Sequence, residues 1–231
     1  MSSFCELKEI VWKYNLELFR YDLVTFTFGN VSAIDRGEGV FAIKPSGVPY
    51  ENLNPDDMVI VDLDNNLVEG RLRPSSDTKT HTVLYRNFLD IGAICHTHST
   101  YATAWAQAQK SIPVLGTTHA DHLATDIPCT QLMSEDRISG DYETETGNQI
   151  LHTFEKLSPS EVEMVLIACH GPFTWGKTAE KAVYNSVILE ELAKMAMLTL
   201  NINSDTPGLK KYLIKKHYLR KHGKNATYGQ K

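Results

Sequence analysis

The first twenty residues carry an apolar stripe. Phe4, Leu7, Val11, Tyr14 and Leu18 recur at three- and four-residue steps, the spacing of one helix face, and Ser3 with Glu6 has capping-box spacing at its start. The period then falls to two. LVTFTFGNVSAI (23–34) alternates and is rich in β-branched and aromatic residues, GVFAIKPSG (39–47) continues in the same way, and MVIVDLDNNLVEG (58–70) reads as strand, turn, strand. Such a meander predicts antiparallel pairing. A helix is predicted from Asp77 to Phe88, a buried strand over IGAICH (91–96), a helix over 99–107, and short strands around Pro113 and Ile127. Beyond them the pattern gives a helix near Glu145 to Lys156, an apolar strand MVLIAC (164–169), a long helix after Lys177 and a last helix from about Pro207 to His222. Neither a repeat nor a linker interrupts this order, so residues 1–231 read as one α/β unit with a mainly antiparallel sheet.

Composition narrows the class. With 231 residues the chain is long enough for one well-filled core. It shows neither the roughly 18 consecutive apolar residues of a membrane span nor the pattern of a secretory leader at MSSFCELKE, so a cytoplasmic protein without membrane contact is expected. Cys5, Cys95, Cys129 and Cys169 form no CxxC pair, which fits free thiols in a reducing compartment. The formal charge is −5, yet the segment from Lys210 to Lys231 is strongly basic. A nucleic-acid role would have to reside in that tail, and the aromatic platforms it would need are missing. An anionic small molecule or a subunit contact suits the tail at least as well.

Chemistry enters with ICHTHST (94–100). On a strand, His96 and His98 share a face while Thr97 points opposite; on a helix they would diverge by roughly 200°. His170 follows the apolar run MVLIAC, and Gly171-Pro172 is expected to stop that strand, so two strand ends could bring three imidazoles together. Three nitrogens with an open position suit a catalytic metal, although ordinary hydrogen-bonded histidines have the same spacing. His119 in TTHAD is a rival third ligand, and Cys95 and Cys169 should face away. Three small-residue segments could hold an anion: Gly29-Asn30, Ser46-Gly47 beside Lys44, and Ser75-Ser76 where a helix should begin. Each taken alone also reads as a turn or an N-cap.

Together, FGNVSA, IKPSGV, RPSSDT, HTHST, GTTHAD, HGPF, WG, KHYLRKHG and YGQ resemble, in order and over nearly the whole chain, the L-ribulose-5-phosphate 4-epimerase family of the class II aldolase superfamily. The resemblance implies a three-layer α/β/α fold and a homotetramer whose C-terminal tail completes a neighbouring subunit's site. It implies zinc held by His96, His98 and His170, with Asp77 a further ligand or close neighbour. It places the sugar phosphate on Gly29, Asn30, Lys44, Ser46, Gly47, Ser75 and Ser76. Catalysis would be epimerisation by retro-aldol cleavage and re-addition through an enediolate, with Asp121 and Tyr228 as proton carriers and His217 and Arg220 approaching the same site. Thr117 and Glu143 match positions lining the family pocket.

The chain also departs from that pattern. Asp121 is followed by His122-Leu-Ala-Thr where the similar enzymes carry aromatics, and Thr227 precedes the tyrosine where an aromatic often stands. The nearest rival is a sugar-phosphate aldolase of the fuculose or rhamnulose 1-phosphate type, whose base is a glutamate after the serine pair; Asp77, shorter and set against the metal, favours the epimerase. A non-catalytic scaffold like the adducin head domain would have lost the metal histidines, and this chain keeps them.

Overall fold

A computed structural model of the protein describes residues 4–223 and Ala226. The stripe at the start forms α1 (Cys5–Arg20), whose Val11 and Leu18 are fully buried. Seven strands follow in one sheet: β1 (Asn30–Asp35), β2 (Val40–Ile43), β3 (Val59–Asp62), β4 (Leu67–Glu69), β5 (Ala93–His96), β6 (Met164–Leu166) and β7 (Pro172–Gly176). Their spatial order is β4-β3-β2-β1-β5-β7-β6 and every neighbouring pair is antiparallel. The other helices are α2 (Thr78–Asn87), α3 (Thr100–Gln107), α4 (Thr117–Ala120), α5 (Glu135–Ser139), α6 (Tyr142–Thr153), α7 (Ala179–Ile202) and α8 (Lys211–His222).

Alternation along the strands makes the layers. Val31, Ala33, Ala42, Ile60, Ala93 and Cys95 face α1 and α7, whereas Phe41, Ile43, Val59, Val61, Ile94, Phe173 and Trp175 face α2 and α6. Burial on both faces by helices gives the three-layer α/β/α arrangement. A further cluster joins α3 and the second half of α7 through Ala102, Ala106, Leu189, Leu192 and Met164.

Three expectations need correction. The strand predicted from Leu23 begins only at Asn30; residues 23–29 form a loop in which Phe26 sits at φ 55° and Phe28 N–H bonds the Thr25 carbonyl, leaving Phe26 and Phe28 exposed. Alternation without an available sheet partner cannot make a strand. The strands near Pro113 and Ile127 reduce to a single bridge between Ile112 and Ile127. The run MVLIAC is strand only to Leu166, after which the chain turns through Cys169 (φ 64°), and Gly171-Pro172 opens β7 rather than ending a strand. Proline is tolerated there as the first residue of its strand.

Candidate functional site

Strand β5 lies between β1 and β7, and its last residue, His96, is opposite Asn30 on one side and Phe173 on the other. Residues directly opposite in an antiparallel pair share a face. Accordingly His96 stacks on Phe173 with ring centroids 4.2 Å apart, while Cys95 points to the other face and receives the Ser186 hydroxyl. His98 lies two residues beyond, just past the strand end, and His170 comes from the β6–β7 turn. The turn is closed by Ile167 N–H to the Gly171 carbonyl (2.9 Å). At Gly171 a Cβ would stand 2.8 Å from the Thr97 carbonyl oxygen, so only glycine lets this turn approach the histidine segment.

The three rings converge. Centroid separations are 4.9 Å for His96 and His98, 4.8 Å for His96 and His170, and 5.0 Å for His98 and His170. One ligand nitrogen from each lies within 4.8 Å of the others, and the Nε2 atoms of His96 and His98 are 3.1 Å apart. His96 Nδ1 donates to the Pro172 carbonyl (2.9 Å), which leaves its Nε2 lone pair facing the cluster. Burial, then the neighbouring imidazoles, push His170 down to about 3 and also lower His98, so these rings are neutral and able to act as ligands. The donor set therefore fits a divalent ion that favours nitrogen.

Around the imidazoles is a cavity of about 280 Å³ walled by Gly29, Asn30, Lys44, Ser46, Gly47, Ser75, Ser76 and Asp77. All three small-residue segments thus meet the histidines. Gly29 (φ 76°) approaches so closely that a Cβ would lie 2.8 Å from the His96 carbonyl oxygen. Lys44 is 1% exposed, with its ammonium near the Thr27 and Pro45 carbonyls (3.3 and 3.4 Å) and over the Tyr50 ring, and burial lowers it to about 8. A buried ammonium with carbonyl partners alone, beside hydroxyls and the positive end of α2, is prepared for an anion.

Asp77 borders the cavity but lies outside the three-imidazole cluster. Its Oδ2 accepts from Asn30 Nδ2 (2.6 Å) and Ser75 Oγ (3.4 Å). Burial raises its carboxyl, yet the fields of His96, His81 and His170 and the Asn30 bond outweigh this and hold it below the usual range. His119, the rival ligand, points elsewhere, with Nε2 3.1 Å from the Thr125 carbonyl.

A second polar cluster stands apart from this cavity. Asp121, at the end of α4, takes a fork from Arg220 (Nε 2.9 Å, Nη2 2.7 Å) and a bond from His217 Nδ1 (3.0 Å), both on α8; His222 Nε2 donates to its carbonyl (3.0 Å). Burial raises the Asp121 carboxyl, but Arg220 and His217 hold it below the ordinary range. His122, lowered to about 4 by burial and then by Lys221 and Lys181, packs on Tyr184. Thr117 is exposed on α4, and Glu143 is half-buried in the first turn of α6, its carbonyl accepting from Thr80. None of Thr117, Asp121, Glu143, His217 and Arg220 lines the cavity of the imidazoles. Tyr228 and Thr227 lie outside the described residues.

Sequence reasoning missed several neighbours of the imidazoles: Phe173 under His96, Phe28 tilted against His98 at 6.1 Å, and Tyr142, whose hydroxyl is 3.5 Å from His170 Nδ1. Aromatic residues have no spacing that marks them as lining a site; Phe28, within FGNVSA, and Phe173, within HGPF, stood inside recognisable segments, whereas Tyr142 did not.

The chain matches the family described as Class II Aldolase and Adducin N-terminal domain over residues 9–197. It is 53% identical over 226 residues to L-ribulose-5-phosphate 4-epimerase UlaF of Salmonella paratyphi A, covering 98% of this chain and 99% of that protein, and shows the same likeness to its counterpart in Salmonella typhi. Among solved structures, an L-fuculose 1-phosphate aldolase superposes with a TM-score of 0.78 at 26% identity, over 94% of this chain and 95% of the other. The L-fuculose 1-phosphate aldolase of Glaciozyma antarctica PI12 shares the fold with a TM-score of 0.77 at 17% identity, over 96% and 84%. With a match across most of its length and a likeness that runs end to end, the chain belongs to the class II aldolase and adducin N-terminal domain family.

Proposed function

We propose that the protein interconverts L-ribulose 5-phosphate and D-xylulose 5-phosphate by breaking and remaking the C3–C4 bond. The observation that carries this reading is the cavity in which three imidazoles meet three hydroxyl- and glycine-rich loops around a buried lysine. The full-length likeness to 4-epimerases selects among the reactions such a cavity could support. His96, His98 and His170 would hold zinc through their ring nitrogens. When bound, zinc supplies a Lewis acid that stabilises the negative charge developing on the ketose fragment.

The hydrogen at C4 is not acidic, so inversion there needs another route. Removal of the C4 hydroxyl proton lets the C3–C4 bond break, giving a dihydroxyacetone enediolate and glycolaldehyde phosphate. Turning the aldehyde before re-addition presents its other face. Lys44, the Ser46, Ser75 and Ser76 hydroxyls and the start of α2 would grip the phosphate through that turn, because a fragment that escapes makes the enzyme an aldolase.

Two proton carriers are needed, one for each face, and we assign them to Asp121 and Tyr228. Asp121 is bound to α8 of its own chain and borders a different surface from the imidazoles, so we assign the α4–α8 edge to a neighbour's site in a homotetramer. Thr117, Asp121, His217, Arg220 and the tail would then travel together to the cavity of the next copy. Arg220 orients the carboxylate and, by lowering its proton affinity, also sets how strong a base it is. Exposed Phe26 and Phe28, on the loop that walls the cavity, offer surface for that copy to cover. No helix of the described residues is long and apolar enough to cross a membrane, and the four free cysteines suit a reducing cytoplasm.

Incubating the zinc-loaded protein with L-ribulose 5-phosphate tests this reading. D-xylulose 5-phosphate is expected as the dominant product. Release of glycolaldehyde phosphate at a comparable rate would replace epimerase by aldolase, and a protein with neither turnover nor bound zinc would be a non-catalytic scaffold.

A further inference from the structure

Behind the cavity wall lies a histidine that the reaction above does not use. His81 is completely buried, one turn into α2, and its N–H bonds the Asp77 carbonyl at 3.0 Å. Residues four apart share a helix face, so its side chain leaves α2 directly below that of Asp77. One ring nitrogen is well anchored: Nδ1 lies 2.7 Å from Ser32 Oγ, which is itself 2.7 Å from the Tyr85 hydroxyl. The other nitrogen, Nε2, has no hydrogen-bond partner among the described residues. A buried ring nitrogen without a partner is uncommon and calls for an explanation.

Asp77 supplies the complementary vacancy. Both of its side-chain bonds, from Asn30 and Ser75, fall on Oδ2, and no donor among the described residues is paired with Oδ1. The His81 ring also lies edge-on to Phe173 at 6.0 Å, the ring on which His96 is stacked. His81 thus touches the site along two lines, through Asp77 on its own helix and through Phe173 on β7.

We infer that His81 is a positioning residue whose Nε2–H is reserved for the Asp77 carboxylate, with Ser32 and Tyr85 holding the ring in that tautomer. Ser32 donates to Nδ1 and accepts from Tyr85, which leaves the ring hydrogen on Nε2. Burial pushes His81 down to about 3 against the raising field of Asp77, so the ring stays neutral. A neutral N–H fixes the carboxylate's direction without adding a positive charge beside a zinc site, which an ammonium or guanidinium would do. The Ser32-Tyr85 pair holds the donor in place because all three groups are fully buried and cannot exchange partners with water.

This inference rests on the reading of the cavity as a zinc and sugar-phosphate site, and two measurements separate it from that reading. In the zinc-loaded whole chain, 15N NMR of the histidines, with His81 assigned by its disappearance in His81→Gln, is expected to show hydrogen on Nε2; hydrogen on Nδ1 overturns the inference whatever the site binds. By chelator competition, His81→Leu is expected to lose about 10- to 100-fold in zinc affinity, and His81→Gln, whose amide N–H can stand where Nε2 stood, to recover most of it. A packing role alone gives the opposite order, since leucine fills the space and removes an unpartnered nitrogen, so full zinc affinity in His81→Leu overturns the inference. Should that variant fail to fold, Ser32→Ala takes its place: it is expected to mix the two tautomers and weaken zinc, and unchanged values overturn the inference. Wild-type protein that binds no zinc removes the site reading itself, whereas wild-type binding with indifferent variants removes only the role of His81.

Discussion

The imidazole cavity and the α4–α8 cluster are both polar and built from residues far apart in sequence, yet they are charged in opposite ways. In the cavity the His98 and His170 rings are neutral, and among the described residues the Lys44 ammonium has no carboxylate partner and Asp77 is the single acid on the wall. In the α4–α8 cluster the carboxylate of Asp121 is fully engaged by Arg220 and His217. The first region is prepared to receive a cation and an anion from outside; the second has already satisfied its charge. A site that must bind substrate is left incomplete, whereas a group that must only be aimed is held by its neighbours.

That contrast can be broken in a definite order. His96→Asn is expected to have the largest effect, because it removes a ring nitrogen from the centre of the cluster. Zinc content measured on the purified protein should fall sharply and turnover by on the order of 10⁴-fold, several kcal/mol of charge stabilisation being lost. Asp121→Asn should leave zinc content intact while slowing turnover by about 10²-fold or more, the usual worth of a positioned base. Mixing the two inactive proteins under conditions of subunit exchange is expected to restore measurable activity, because some interfaces would then pair an intact cavity with an intact Asp121. No recovery from demonstrably mixed oligomers would place Asp121 and the cavity in one subunit's site or remove Asp121 from the reaction.

Smaller effects come from the cavity's cation. Lys44→Met is expected to raise KM by roughly 10- to 100-fold with little change in zinc content, the cost of one charge-assisted contact to phosphate. The smallest effect is a pH response. Lys44 loses its proton near 8 rather than near 10.5, and the charged form is the one that holds phosphate. KM should therefore climb as pH rises through about 8, and that climb should vanish in Lys44→Met. The same shift acts on stability with the other sign: between about 8 and 10.5 the unfolded lysine keeps a proton that the folded one has released, so the ligand-free chain gains stability with rising pH over that window. A thermal-melting series against pH, compared with Lys44→Met, measures this gain.

Much of the fold was legible because burial leaves a period. The α1 stripe, the alternation in β2 and β3, the α2 and α3 segments and the long α7 all sit close to where the pattern put them. Failures came where a pattern had no partner or a breaker had another use. Phe26 and Phe28 alternate like strand residues but find no neighbouring strand, and Pro172 looks like a stop signal but starts β7. That second misreading hid the strand whose Phe173 lies under His96. Asp121 offered no local sign that its partners would be Arg220 and His217, almost a hundred residues away.

What the sequence by itself determined is the set of local commitments: the shared face of His96 and His98, the glycine, serine and asparagine segments able to bind an anion, and the helix and strand periods that carry them. These follow from backbone geometry over a few residues. Spacing left His119 as a rival to the His170 that the resemblance implied, and the tertiary structure brings His170 into the imidazole cluster; it alone decided that Lys44 is buried among carbonyls, that His81 ends with one anchored nitrogen and one without a partner among the described residues, and that Asp121 is bound to α8 away from the cavity. Those outcomes depend on which distant segments the seven-stranded sheet sets side by side, and on how little water the packed layers leave to replace a missing partner.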